Sequence, residues 1–230
     1  MQLIERVALL DLAKQIGVKD AFIEEELKAG AIGAGVDIYE SKGSLVVDIG
    51  GGTTDIGVLS LGDLVIAESC KVAGKHVDKE ITKYVKYKYG VIIGNNTAEM
   101  IKIKLGTLRR ELEEDKEMNF AGRNLNNGLP CKFKIKQSEI RDIFLKGFEQ
   151  VVNTIRNVLQ KTPPELAADI YETELTINGG GALIEGVKEY FEESLGLGVR
   201  IAEHPLTSIV EGTRLLLQNR GNYLVKPNDY

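Results

Sequence analysis

Asp48-Ile49-Gly50-Gly51-Gly52-Thr53-Thr54-Asp55 sets three consecutive glycines and two hydroxyls between two carboxylates. Consecutive glycines cost backbone entropy and contribute no packing, so they mark a place where backbone approaches something closely. Free amides, threonine hydroxyls and an adjacent carboxylate are what a phosphate with its divalent cation requires. A ligand-free hairpin turn accounts for the glycines alone but leaves the rest of the octet unexplained. The flanking runs, Leu45-Val46-Val47-Asp48-Ile49 and Ile56-Gly57-Val58-Leu59, are strand-like. The glycines therefore lie in a hairpin. A Walker P-loop instead has glycines that open a helix and precede Lys-Ser/Thr.

A second cluster, Gly179-Gly180-Gly181, follows the strand-like Leu175-Thr176-Ile177-Asn178 and precedes a helical pattern over 182–194. That order predicts backbone N–H groups at a helix N-terminus, a seat for a phosphate or a flat ring. It does not match the dinucleotide fingerprint, which counted from Gly179 needs glycine where Ile184 stands.

Around these loops the chain reads as alternating helices and strands. Residues 4–16 form a short amphipathic helix stopped by Gly17, and Ala21-Phe22-Ile23 is a brief strand candidate. Glu24-Glu25-Glu26 leads into Leu27-Lys28-Ala29-Gly30-Ala31-Ile32-Gly33-Ala34-Gly35, a helix of small residues suited either to tight packing or to hinging. Residues 44–69 read as a three-stranded antiparallel meander turning at Leu61-Gly62-Asp63. A helix carrying Val77, Ile81 and Val85 ends at Gly90, with Lys83, Lys86 and Lys88 matching its dipole. Asn96 reads as the N-cap of the next helix, with Glu99 completing a capping box and Lys102 within reach of it. Residues 109–117 are a solvated charge run and 124–130 a turn. A strand over 132–136 is followed by a long helix, capped at Ser138-Glu139, that reaches about Leu159. Pro163-Pro164 breaks that helix and starts another; a strand over 199–202, a last helix through Leu217 and a polar tail complete the chain.

The 230 residues carry a net charge of −5, which argues against nucleic acid, whose backbone demands clustered Lys and Arg. No apolar run approaches the roughly 18–20 residues that span a bilayer, and the N-terminus lacks signal-peptide architecture. Cys70, Cys131, His76 and His204 are scattered, so neither a disulfide framework nor a histidine metal site is expected. The expectation is a cytoplasmic protein.

The stretch from Val47 to Asp55 resembles the second phosphate loop of the actin/Hsp70/sugar-kinase ATPase superfamily. Ile177 to Leu183 resembles its adenosine motif, and Glu26 to Gly35 its connecting helix between lobes. Within the superfamily, Ala29 to Gly35, Thr97-Ala98-Glu99-Met100-Ile101-Lys102, Gly122 to Pro130 and Thr162-Pro163-Pro164-Glu165-Leu166 look like the bacterial actin MreB and its Mbl paralogues. The resemblance implies an α/β, actin-like (ribonuclease H-like) ATPase fold with a complete second lobe and a partial first lobe. Residues 1–42 would be first-lobe remnant and connecting helix. Residues 43–75 and 150–230 would form the nucleotide-binding subdomain, and 76–149 a peripheral one.

By the same resemblance the cofactors are ATP and Mg²⁺. Asp48 would hold the metal through water, and Gly50, Gly51, Gly52 and Thr53 would cradle the phosphates. Glu26 would position the attacking water, Glu99 and Lys102 would flank the adenosine, and Gly179, Gly180, Gly181 and Ala182 would pass under it. Partners would be further copies in a filament and membrane-associated cell-wall synthesis proteins. An Hsp70-like ATPase or an ATPase-dead filament cap are the competing implications.

Two departures from the family pattern stand out. Leu27 occupies a usual proline position after Glu26, and Lys28 a usually apolar one. The first phosphate loop, of Asp-x-Gly-Thr type, is not in these residues, nor are the segments by which relatives insert into membrane. The expectation is a truncated protein with weak nucleotide affinity, negligible hydrolysis and exposed apolar surface in residues 1–23.

Overall fold

The computed structural model describes residues 3–218. Its centre is a five-stranded sheet. β1 (Ser44–Ile49), β2 (Thr54–Ser60) and β3 (Asp63–Cys70) form the antiparallel meander; β7 (Leu175–Asn178) runs parallel to β1, and β8 (Val199–Ile201) parallel to β7. The order is β3-β2-β1-β7-β8, so β1 lies in the middle. Every residue of β1 is buried, whereas β3 at the edge alternates between exposed and half-buried. An unbroken apolar run belongs to a strand covered on both faces.

One face carries α2 (Glu26–Gly33) and α8 (Ser208–Gln218). Leu27 and Ala31 of α2 pack with Ile38, Val46 and Leu59 there. The other face carries α5 (Gln137–Lys161), whose Phe144, Phe148, Val151 and Ile155 join Leu45, Val47, Ile56 and Val58 in the main core. α2 and α8 are close enough for their backbones to touch. A Cβ on Gly33 would lie 1.8 Å from the Ser208 carbonyl oxygen, and one on Gly212 would lie 1.8 Å from that of Ala29. The small residues of α2 are thus a packing surface.

A second sheet, ordered β4-β5-β6, comprises β4 (Val91–Ile92), β5 (Glu117–Asn124) and β6 (Pro130–Lys136). α3 (Gly74–Tyr89) and α4 (Asn95–Leu105) lie with it, and the main core runs continuously from this layer into the first sheet. α5 leaves β6 directly and passes residue 150 without interruption.

Several expectations are corrected. Residues 21–23 are not a strand, because they find no strand to pair with. α4 begins at Asn95 with Gly94 as N-cap, so Asn96 does not cap it and Glu99 is not at its third position. α5 starts one residue before Ser138; Glu139 accepts a hydrogen bond from the Lys136 amide at 2.7 Å, while Ser138 is held by Asp115. β5 has no counterpart in the sequence reading, since Phe120 is its one buried side chain. α1 (Leu3–Gln15) is helical as expected, yet Ile4, Val7, Leu9 and Leu12 are all exposed. The pattern over 182–194 is broken: a short 3-10 turn (Gly180–Leu183) precedes α7 (Val187–Leu195), with left-handed Gly186 between them. The polar tail lies outside the described residues. α6 (Pro164–Thr173) carries its expected proline in the first turn.

Gly33→Ala is expected to lower stability by about 1–3 kcal/mol or more, because the atom it strikes is backbone and cannot rotate away. Urea unfolding checks this; a change below about 0.5 kcal/mol would contradict the close crossing.

Candidate functional site

Because β1 and β7 run parallel, both end at the same edge of the sheet. Asp48 is paired in register with Asp55 across the hairpin and with Asn178 on β7. Directly opposed residues on neighbouring strands point to one face, so Asp55, Asp48 and Asn178 form a row across three strands. That face is also Val46's, hence the face that α2 covers.

Asp48 is only 6% exposed, and its Oδ1 has no hydrogen-bond partner. Burial, then the charge of Asp55, then that of Glu26 push its carboxyl up from 3.8 to about 6. Asp55 accepts a hydrogen bond from the Thr53 hydroxyl at 2.8 Å. Asn178 is fully buried; its Oδ1 accepts from Ser208 Oγ at 3.2 Å, and its Nδ2 faces Gly30 without a hydrogen-bond partner.

The loop between β1 and β2 is tied down from behind. Gly50 N–H donates to the Thr53 carbonyl at 3.0 Å. The Gly50 and Gly51 carbonyls accept from the amides of Gly74 and Lys75, at 3.1 and 2.8 Å, where α3 begins. Buried Thr54 donates its hydroxyl to the Val72 carbonyl at 2.6 Å. In front, a Cβ added at Gly51 or Gly52 would meet nothing within 4 Å. The cradle is fixed on one side and open on the other.

The second glycine cluster differs. Gly179 has φ of 80°, and a Cβ there would lie 2.5 Å from the Ile49 carbonyl oxygen and 2.6 Å from Asp48 Oδ1. A Cβ on Gly181 would lie 2.1 Å from Ile49 Cγ2. These glycines let the turn after β7 cross directly over the end of β1. Their amides enter a four-residue 3-10 turn, so the helix N-terminus expected there is absent; α7 starts only at Val187.

Lys102 and Glu99 reach the site from α4. Lys102 Nζ lies 3.0 Å from Asp78, 3.5 Å from the Gly74 carbonyl and 4.0 Å from Glu99, which is itself more than half exposed. Glu26 opens α2 and borders an apolar groove of about 300 Å³ with Phe22, Ile209 and Leu216. Lys28 is buried because Glu24 pairs with it at 3.2 Å. Asn178 and Asp78 were not singled out from sequence. Strand register carries the first; no local signal carries the second.

Two carboxylates acting on one buried acid need a counter-charge, and an orphaned Asp48 oxygen is available to receive one. Among the described residues no group of three His, Cys, Asp or Glu side chains could ligate a metal directly. A hydrated divalent cation beside a phosphate fits this donor set, since Mg²⁺ retains several waters. No described helix is long and apolar enough to cross a membrane.

Asp48 is raised in the fold above its ordinary value, so the fold favours its neutral form. Its contribution to stability is complete below about pH 4 and is lost as pH climbs through about 6. In chelator, the wild type should lose on the order of 1–2 kcal/mol from this group between about pH 4 and 7, allowing for partial solvent access. Asp48→Asn should lack that loss and be more stable than wild type at pH 7. Denaturant titrations at several pH values check this, and parallel wild-type and variant curves would contradict it.

Sequence and structure comparisons identify the family and the fold. The family described as MreB/Mbl protein matches residues 1–224. The cell shape-determining protein Mbl of Bacillus subtilis is 40% identical over 216 residues, covering 94% of this chain and 65% of that protein. The cell shape-determining protein MreB of Escherichia coli is 39% identical over 209 residues, covering 91% of this chain and 60% of that protein. The chain therefore spans about two thirds or less of the curated relatives it matches. The crystal structure of MreB5 of Spiroplasma citri bound to ADP superposes with a TM-score of 0.92 at 40% identity, covering 96% of this chain and 67% of that one. The MamK double helical filament, 21% identical with a TM-score of 0.78, shares the fold. The fold is actin-like, and the chain belongs to the MreB/Mbl family.

Proposed function

We propose that this chain is the nucleotide-binding part of a rod shape-determining, actin-like cytoskeletal protein that takes ATP with Mg²⁺. The observation that carries the reading is the buried, unpartnered Asp48 oxygen at the junction of the two glycine loops. Solved relatives bound to ADP and to AMPPNP support the ligand class.

Gly50, Gly51, Gly52 and Thr53 hold the β- and γ-phosphates in this reading, with the rear of the loop braced by α3 so that little reorganisation accompanies binding. Asp48 would hold hydrated Mg²⁺, which would supply neutralisation of phosphate charge. Glu26 positions the attacking water from the first turn of α2. Glu99 and Lys102 flank the adenosine, and Gly179, Gly180, Gly181 and Ala182 pass beneath it. Residues 43–75 and 150–230 serve as the nucleotide-binding subdomain, 76–149 as the peripheral one, and 1–42 as first-lobe residues with the connecting helix. Copies assemble into filaments at the membrane and organise cell-wall synthesis. Phosphoryl transfer demands positioning and electrostatics more than covalent chemistry, and one cradle supplies only part of the enclosure.

A polypeptide of these 230 residues is expected to bind a fluorescent ATP analogue weakly but saturably and only with Mg²⁺. Gly51→Val should abolish that binding without moving the unfolding midpoint, since the added side chain enters open space. Binding indifferent to the substitution would remove the cradle. Turnover in a coupled assay should stay at background; a rate comparable to full-length relatives would contradict the single-cradle argument. Sedimentation with and without ATP, alone and mixed with a full-length relative, separates a filament former from a filament cap.

A further inference from the structure

Glu185 sits between the 3-10 turn after β7 and the start of α7, and it belongs to neither. Its backbone forms an isolated parallel bridge with Thr107, just beyond the end of α4. Its carbonyl accepts the Leu108 amide at 2.8 Å and the Thr107 hydroxyl at 3.4 Å. The next residue, Gly186, presses on the same stretch: a Cβ there would lie 2.7 Å from Arg109 Cγ and 3.0 Å from the Arg109 nitrogen.

The side chain reaches further. Its Oε2 accepts from Gln137 Nε2 at 2.7 Å and its Oε1 from Lys116 Nζ at 3.1 Å, with Arg109 Nε 3.9 Å away. Gln137 opens α5 and is fully buried, so its amide demands an acceptor, and a charged one binds it strongly. Burial alone pushes the Glu185 carboxyl up, but the hydrogen bonds of Gln137 and Lys116 and the charges of Lys116 and Arg109 outweigh it and hold the group charged. One carboxylate thus gathers donors from the exit of α4, the loop before β5 and the start of α5.

The turn over 180–183 is therefore fixed at both ends. Before it, Gly179 and Gly181 leave no room between the chain and Ile49. After it, Glu185 fastens it to residues 107–109. α4, which carries Glu99, runs into that same anchor. We propose that Glu185 is a positioning residue for the adenosine moiety, setting the spacing between the turn over 180–183 and α4 in which a flat purine ring lies. The inference rests on the reading of Gly179 to Ala182 and Glu99 as the adenosine seat. Walls fixed in advance spare the ligand the cost of ordering them. The phosphate loop is braced separately by α3, so Glu185 acts on the nucleoside end alone.

The test titrates the full chain with adenosine and, separately, with pyrophosphate and Mg²⁺, in wild type, Glu185→Ala and Glu185→Gln. Glu185→Ala should bind adenosine on the order of tenfold more weakly, the scale of a lost hydrogen bond to a charged group. Glu185→Gln still offers Gln137 an acceptor and should lose no more than about threefold, the scale of a partly exposed ion pair. Pyrophosphate affinity should not change in either variant. Adenosine carries no charge, so salt acts on its binding through the protein's own ion pairs. Wild-type affinity for adenosine should therefore fall as salt rises, and that of Glu185→Gln should not. This comparison carries the test should the alanine variant fold poorly. Wild-type adenosine affinity in Glu185→Ala would overturn the proposal, as would the same salt dependence in wild type and Glu185→Gln. Equal losses for adenosine and pyrophosphate with a lowered unfolding midpoint would mark a merely structural Glu185 and overturn it too. Failure of the wild type to bind adenosine at all would instead overturn the adenosine seat, and the positioning role with it.

Discussion

A carboxylate buried without a hydrogen bond is the constraint around which this fold is arranged. Taking an acid out of water without a partner costs several kcal/mol unless it is neutralised or compensated. Asp48 lies at the end of the central strand, under the Gly179 crossing, with Asp55 beside it and Glu26 near enough to add like charge. Nothing in the packing requires an acid there. Leu45, Val46, Val47 and Ile49 of the same strand show what the core itself selects. A fold that keeps a destabilised acid where two loops converge gives up stability there, the mark of a candidate site and not of a packing position.

The glycines divide into two groups by the space around them. At Gly33, Gly212, Gly179 and Gly181 an added Cβ would strike neighbouring atoms, mostly backbone, at 1.8 to 2.5 Å. Their absence of side chain is a packing requirement: it brings α8 onto α2 and the turn after β7 onto β1. At Gly51 and Gly52 nothing lies within 4 Å. Packing does not explain glycine at those two positions, which leave open space above the loop. The two clusters look alike in sequence, but only the first is an open cradle. The second mainly allows the close crossing that buries Asp48.

What could be read from sequence follows the range of the physics involved. The meander, the loop within it, α3 with its left-handed Gly90 end, and the proline start of α6 depend on neighbouring residues and were legible. β5 was not, because its pairing with β4 and β6 leaves one buried side chain and therefore no apolar alternation to detect. The cap of α4 was misplaced because asparagine favours that role only where the preceding backbone turns, and here Gly94 turns it first. The break at Ile184 to Gly186 was missed for a different reason. Thr107 bridges to Glu185, and Glu185 accepts from Gln137 and Lys116, contacts that come from the other layer of the protein. Asn178 needed strand register, and Lys28 needed its buried pairing with Glu24, before either made sense.

The same long-range contacts determine how the two layers communicate. The loop 50–53 belongs to the first sheet, but its rear carbonyls are held by α3, which packs with α4 and the second sheet. Glu185 ties the turn that follows the second glycine cluster to the loop leading into that sheet. Both glycine loops are therefore anchored to the peripheral layer as well as to the strands that carry them. A shift of that layer cannot leave the loops unchanged, because α3 would pull on Gly50 and Gly51 while Glu185 pulled on the turn beyond Gly181. A ligand that bridges the two loops favours one arrangement of the layers, since its binding free energy depends on loop spacing. In that way a ligand held between the two loops would act on the disposition of the second sheet and its helices.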